Sequence, residues 1–223
     1  MIDEMGIEIN LMANYPRTKR NVEERGKTKT AKDRRIARQF GKEFFDGSRD
    51  QGYGGFHYHP KYWQPVIPDF QRHYGLTKHN TVLDVGCAKG FMLYDMMKLI
   101  PDIQVKGIDI SKYAIVNAME EVHSHCQVAC ATNLPFEDNS FDLVVSITTL
   151  HNLERDDLAK ALQEIERVTR RNSFITLDAY HNEEEKVRME SWNLTAKTVM
   201  HVDEWKKFFK KVGYTGDYYW FIA

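Results

Sequence analysis

Thr81-Val82-Leu83-Asp84-Val85-Gly86-Cys87-Ala88-Lys89-Gly90, running into Phe91-Met92-Leu93-Tyr94-Asp95-Met96-Met97-Lys98-Leu99-Ile100, is the most informative stretch of the chain. A β-branched apolar run stops at a small-residue turn, and the turn opens an apolar helix. A strand that ends in a glycine turn and feeds a helix places a ligand crevice at the carboxyl edge of a parallel sheet. Glycine lets the backbone approach that ligand closely because it has no Cβ. The spacing here is D-x-G-x-x-x-G, and the G-x-G-x-x-G dinucleotide fingerprint is absent. A pyrophosphate favours bare backbone N–H groups with no carboxylate nearby. Asp84 therefore favours a cationic, amine-bearing ligand.

Strand-like and helix-like segments alternate downstream. The pattern predicts strands over 104–110, 127–131, 141–147 and 173–177, separated by helices over 90–100, 112–123 and 156–169. Ser111 is a natural N-cap. The 141–147 run is typical of a strand buried on both faces. Leu158, Leu162, Ile165 and Val168 form one helical stripe. This alternation builds an α/β, Rossmann-like, doubly wound and mostly parallel sheet of six to seven strands, with helices on both faces. Upstream, 31–46 reads as a helix stopped by Gly47, and 61–74 as a second, with an irregularity at Pro65 or Pro68. Residues 1–75 are thus read as an N-terminal arm and helical lid, and 76–223 as the ligand-binding domain. After the fifth strand, 183–200 and 202–212 read as helices, which leaves room for one last strand in 215–222.

In this order and at these spacings, the motifs resemble those of the class I S-adenosylmethionine-dependent methyltransferases over roughly residues 77–180. Residues 82–90 look like the family's first motif. Val105-Lys106-Gly107-Ile108-Asp109-Ile110-Ser111 is similar to its second strand, whose acid holds the ribose hydroxyls. The segment from Ala131 to Asp142 is similar to the adenine loop and the approach to strand four. The resemblance implies S-adenosylmethionine as cofactor, contacted by Asp84, Gly86, Cys87, Gly90, Asp109, Ile110, Ala131, Thr132 and Leu134. Two departures stand out. Ala88 replaces a common middle glycine, and Cys130 replaces an acid of the adenine loop. The family commonly ends in an antiparallel strand pair. Here the missing strand is either absent or supplied by the leader segment or another subunit, which leaves a homodimer open.

Composition fits a globular chain: 223 residues, 42% hydrophobic and 28% charged. No run of 18 apolar residues predicts a membrane span, and acids at Asp3, Glu4 and Glu8 do not suit a secretory signal. Three cysteines without framework spacing fit a reduced, cytoplasmic setting. Residues 17–38 hold ten bases against three acids in a chain of net charge −1. This is either a solvated face or an arm that draws in an anionic substrate through Arg17, Arg20 or Arg25. Nucleic acid is disfavoured as a partner by the acidic remainder and the absent Asn/Asp-Pro-Pro-Tyr motif of amino-methylating enzymes. Ser146-Ile147-Thr148-Thr149 stands in its place.

Methyl transfer from a sulfonium is an in-line displacement in which alignment does most of the work. A base is needed only for a protonated nucleophile. His151, after strand four, is the candidate base. Tyr180 and His181, after strand five, are candidates to orient an acceptor. No carboxylate accompanies Asp178 at the end of strand four, so no metal is expected. Gly52-Tyr53-Gly54-Gly55-Phe56-His57-Tyr58-His59 reads as a lid or an aromatic plug, with Tyr53, His57 and Tyr58 able to touch the acceptor. Trp192, Asn193 and Trp205 either shape the acceptor pocket or belong to the core. The expected activity is methylation of a small molecule, at oxygen, with an anionic metabolite favoured. An RNA methyltransferase and a non-catalytic cofactor-binding protein are the alternatives.

Overall fold

The computed structural model describes residues 5–16 and 29–223. Seven strands form one sheet: β1 Thr81–Val85, β2 Gln104–Asp109, β3 Cys126–Val128, β4 Phe141–Ile147, β5 Thr169–Tyr180, β6 Met200–His201 and β7 Asp217–Phe221. The order is β3-β2-β1-β4-β5-β6, with β7 also paired to β5. Every pairing between these strands is parallel. The chain order reverses between β1 and β4, and at such a switch point the strand ends open into a crevice.

β1 and β4 are buried on both faces, which is why they read as near-continuous apolar runs. On one face, Leu83, Val144, Ile175 and Leu177 pack against α7 (Arg155–Val168) and α9 (Val202–Val212). On the other, Val82, Leu143, Val145 and Phe174 pack against α3 (Ile67–Tyr74) and α4 (Phe91–Leu99). Trp205 is fully buried in the first layer, and its indole N–H donates to the Asp178 carbonyl at 3.1 Å. Of its two readings, core is the one observed.

Several elements differ from their sequence patterns for local reasons. The helix expected over 31–46 is two helices, α1 (Ala31–Ala37) and α2 (Lys42–Asp46), divided where Phe40 adopts φ 49°. That break turns the Phe40 carbonyl onto the Ser111 hydroxyl, 2.5 Å away. The helix expected over 112–123 is likewise divided, into α5 (Lys112–Val116) and α6 (Glu120–His123). Between them the Met119 N–H leaves the helix to reach the Lys89 carbonyl. The helix over 183–200 ends early, as α8 (Glu183–Trp192), and β5 runs well past both of its expected ends.

The last strand does not form an antiparallel pair. β7 runs parallel to β5, from Phe174 opposite Asp217 to Asp178 opposite Phe221. Its outer edge is covered by the leader segment: Glu8 bridges Tyr218 in parallel, Ile9 N–H donates to the Tyr218 carbonyl at 2.9 Å, and Tyr218 N–H to the Ile7 carbonyl at 3.1 Å. The chain's own leader thus adds a single bridge to this edge and so blunts it. The described residues before β1 accordingly contribute to the sheet edge, to a sheet-packing helix and to a cap over the strand ends.

Ile9→Pro removes one ladder donor from the leader strand. Urea unfolding should show a loss of about 1–3 kcal/mol. A change below a few tenths would mean that the leader does not stabilise the sheet.

Candidate active site

The parallel register of β1 and β2 brings Asp84 and Asp109 to the same carboxyl edge, with Asp84 opposite Gly107. Both acids are buried. Asp109 is pinned by two backbone donors, Ala88 N–H at 2.8 Å and Ser111 N–H at 2.7 Å. Burial raises its pKa, and those two N–H bonds oppose the rise. Asp84 has no comparable support: its side chain meets no hydrogen-bond donor among the described residues. Burial, and then the nearby Asp109 charge, push its pKa up to about 7.

Gly86 carries φ 91°, and a Cβ there would lie 2.2 Å from the Thr149 hydroxyl oxygen. The turn therefore depends on glycine for both its conformation and its contact with the segment after β4. Gly86 and Cys87 N–H groups both donate to the Ile108 carbonyl, which ties the turn to β2. The Cys87 side chain is buried against Gly107 and pairs by hydrogen bond with Cys126. Gly90 sits at the start of α4 against Val122.

Ile110 follows Asp109 and is 58% exposed, an apolar side chain left open beside the acid. Ala131 and Thr132 are half-buried near the β3 end, and the Cys130 thiol contacts the Thr132 hydroxyl at 3.0 Å. Leu134, expected to cover an adenine ring, instead packs into the core beside α7, and its N–H donates to Glu164. An apolar residue followed by Pro135 sits well in such a core turn, and periodicity carried no sign of it.

His151 is buried in the 3₁₀ turn Leu150–Asn152. Its Nδ1 accepts the Asp178 backbone N–H at 3.1 Å, which leaves the proton of the neutral ring on Nε2. Burial lowers its pKa, and the Asp178 carboxylate, 3.4 Å away, works against that. The ring therefore presents a donor rather than a free basic nitrogen. The His151 carbonyl accepts Lys197 and Thr198 N–H groups, which fastens the loop after α8 over the ends of β4 and β5. Tyr180 is half-buried against His201, and His181 is exposed and paired with Glu185 at 3.0 Å.

The N-terminal segment forms a cap over these strand ends. Tyr53 belongs to an aromatic cluster with Phe44, Phe45 and Phe56. His57 is exposed. Tyr58 donates to Asp95 on α4 at 2.7 Å, and burial followed by the Asp95 carboxylate pushes its pKa up to about 12. Lys29 donates to the Trp192 carbonyl at 2.8 Å and lies over the Trp192 ring. Arg34 reaches the Asn193 carbonyl, and Arg38 those of Thr195 and Ala196. Three bases of the arm thus meet carbonyls at and beyond the α8 C-terminus, where cations are favoured. Arg17, Arg20 and Arg25 lie outside the described residues.

Asp46, Lys89 and Tyr113 were not singled out from the sequence, yet they join the cap to the turn. Lys89 is buried and donates to both Asp46 carboxylate oxygens, at 2.9 and 2.7 Å, and to the Phe56 carbonyl at 2.9 Å. A lysine inside a glycine turn was the available signal, with Asp46-Gly47 ending a short helix as its counterpart.

The glycine turn and the two buried acids at the β1 and β2 ends suit a nucleoside with a cationic tail, in a doubly wound parallel α/β protein. Residues 83–177 match the methyltransferase domain family. Over residues 83–177 the fold and this match are those of the class I S-adenosylmethionine-dependent methyltransferases. It is 29% identical over 132 residues to a tRNA (carboxymethyluridine(34)-5-O)-methyltransferase of Arabidopsis thaliana, covering 58% of this chain and 31% of that one. It is 32% identical over 125 residues to a demethylmenaquinone methyltransferase of Staphylococcus aureus, covering 54% and 49%. The chain spans less than two thirds of the length of these relatives. A solved methyltransferase structure from Aquifex aeolicus shares the fold, with TM-score 0.50 and 23% identity over 66% of this chain and 78% of that one.

The residues present fit the family's cofactor. Asp84 is a buried carboxylate with no hydrogen-bond donor among the described residues, which suits an ammonium partner. Asp109 stands beside the open apolar Ile110, as a ribose and base require.

Because the Asp84 pKa is near 7 in the free protein, binding a cationic tail requires its ionisation. The affinity for S-adenosylhomocysteine, measured by calorimetry, should fall by up to about tenfold per pH unit from pH 7 to 5.5. Asp84→Asn should flatten that slope. A wild-type affinity independent of pH over this range would contradict the assignment.

Proposed function

We propose that the protein transfers the methyl group of S-adenosylmethionine to the oxygen of a small-molecule acceptor. The observation that carries this reading is the closure of the strand ends. The cap over 31–58 covers the β1 and β2 side, and the loop after α8, held by the His151 carbonyl, covers the β4 and β5 side. A site covered from both sides suits a compact acceptor.

In this reading Asp84 binds the ammonium of the cofactor's amino-acid tail and Asp109 its ribose hydroxyls. Thr149 and the turn at Gly86 fix the tail between β1 and β4. When bound, S-adenosylmethionine supplies an electrophilic methyl group on a sulfonium. The chain's part is then alignment. His151 holds its Nε2 proton towards the crevice and orients the acceptor oxygen as a donor, with Asp178 N–H fixing the ring. Tyr180 and Trp192 lie on the acceptor side of the site. An anionic acceptor would be drawn by Arg17, Arg20 and Arg25, since Lys29, Arg34 and Arg38 are engaged with carbonyls.

A tRNA acceptor is the second reading. It is favoured by the basic arm and by the similarity to the tRNA methyltransferase, whose name also specifies an oxygen acceptor. Incubation with tritiated S-adenosylmethionine and fractionated cell extract separates the two. Label in the low-molecular-weight fraction is expected. Label confined to RNA, with a steep loss on adding salt, would establish the second reading.

Two substitutions test the residue roles. Asp109→Ala should weaken cofactor binding tenfold or more, on the order of 1–3 kcal/mol for lost charged hydrogen bonds. Unchanged affinity would overturn the cofactor assignment. His151→Ala should lower turnover by roughly tenfold or more, while wild-type turnover stays flat from pH 7 to 9. Full turnover by the variant across pH 6–9 would remove His151 from the mechanism.

A further inference from the structure

The contact between cap and cofactor turn is an ionic knot. Lys89 is placed by the turn itself, one residue before Gly90 and five after Asp84. Its ammonium is 6% exposed and donates to three oxygens: both of Asp46 and the carbonyl of Phe56. Asp46 ends α2 and accepts two further donors, the Phe56 N–H at 2.9 Å and the Tyr113 hydroxyl at 2.7 Å. Those three donor groups hold its carboxyl at about 2, against the burial that would raise it. One pair therefore gathers three separate places in the chain: the turn after β1, the helix after β2 through Tyr113, and the cap through Asp46 and Phe56. Ser111, capping that same helix, adds the bond to the Phe40 carbonyl at the break between α1 and α2.

We propose that Asp46 and Lys89 are positioning residues for the methyl donor: their ion pair latches the N-terminal cap onto the turn and so controls escape of the bound cofactor. The inference rests on the cofactor site described above. Three arguments support it. First, Lys89 and Asp84 belong to one seven-residue turn, so a displaced Lys89 displaces the backbone that would hold the cofactor's tail. Second, Lys89 is buried and Asp46 half-buried, so removing either partner leaves the other short of compensation in a partly shielded setting, and the two act together. Third, the Phe56 segment is held to Asp46 and Lys89 at its N–H and its carbonyl alike, and its ring stacks on Phe91 at the start of α4, 4.9 Å between centroids. Releasing the latch thus frees residues 53–58 from the turn together with α2. A cation at this turn position that answers to a carboxylate in the cap makes cofactor retention depend on the cap's being closed.

The test uses the full chain with S-adenosylhomocysteine as the probe, and four variants: Asp46→Asn, Lys89→Met, their double and Tyr113→Phe. Dissociation is followed by stopped-flow fluorescence, and amide hydrogen exchange over residues 44–58 is read with and without the probe. Each of the first two variants should release the probe at least tenfold faster, and the double should be no worse than the more severe single, since the two act as one unit. Tyr113→Phe removes a single hydroxyl bond, keeps the pair, and should speed release about threefold. It carries the test if a charge variant does not fold. Cofactor-dependent protection of 44–58 should be present in the wild type, lost in the charge variants and weakened in Tyr113→Phe. Dissociation within twofold of wild type in folded variants, or protection undiminished in them, would overturn the latch while leaving the cofactor site standing. A wild type that binds no S-adenosylhomocysteine would instead overturn the cofactor reading itself.

Discussion

Two carboxylates held out of water at the ends of adjacent parallel strands are the constraint around which the molecule is built. Asp84 and Asp109 reach one edge because β1 and β2 are in parallel register. Like charges in a buried setting resist joint ionisation. Asp109 resolves its share through two backbone N–H groups supplied by the turn and by the helix after β2. Asp84 receives no such support, and its pKa near 7 records the tension. A cationic ligand relieves it. Fold, ligand class and pH dependence therefore follow from one arrangement: strands that bring the acids together, layers that keep water away, and a glycine turn that leaves a space between them.

The second organising feature is the cap. Its two ends are fastened by different chemistry. On the cofactor side a buried ion pair and a serine–carbonyl bond hold it. On the acceptor side, lysine and arginine heads meet the carbonyls around the α8 C-terminus. This changes the meaning of the basic arm. Part of what looks, in sequence, like an electrostatic lure for a partner is an internal clamp that closes the protein over its own strand ends.

Much of the fold was legible because parallel strands buried on both faces announce themselves as apolar runs, and β1, β4 and α9 fall where their patterns put them. The breaks at Phe40 and Asn117 were not legible. Both arise from tertiary demands, a carbonyl turned to Ser111 and an N–H turned to Lys89, and these override helical periodicity. The leader strand was readable only as one of several ways to complete an edge. At the site, the placement of Asp84, Gly86 and Asp109 was readable because it depends on position along strands. Lys89 and Asp46 were not, because their partnership spans 43 residues and depends on a cap whose path no local pattern reveals. Leu134 misled because its motif neighbours lie at the crevice while its own side chain faces α7. For His151 the position was readable, but the direction of its hydrogen bond, which decides between donor and base, was not.

The account's central claim is that the Asp84–Asp109 edge beneath the Lys89–Asp46 contact is the cofactor site. A crystal structure with S-adenosylhomocysteine tests this most directly. The account predicts the ligand's ammonium at Asp84, its ribose hydroxyls on Asp109 and its base against Ile110, with residues 44–58 closed over it. A ligand seated elsewhere on the sheet, or a carboxylate edge left empty at saturating ligand, would contradict it.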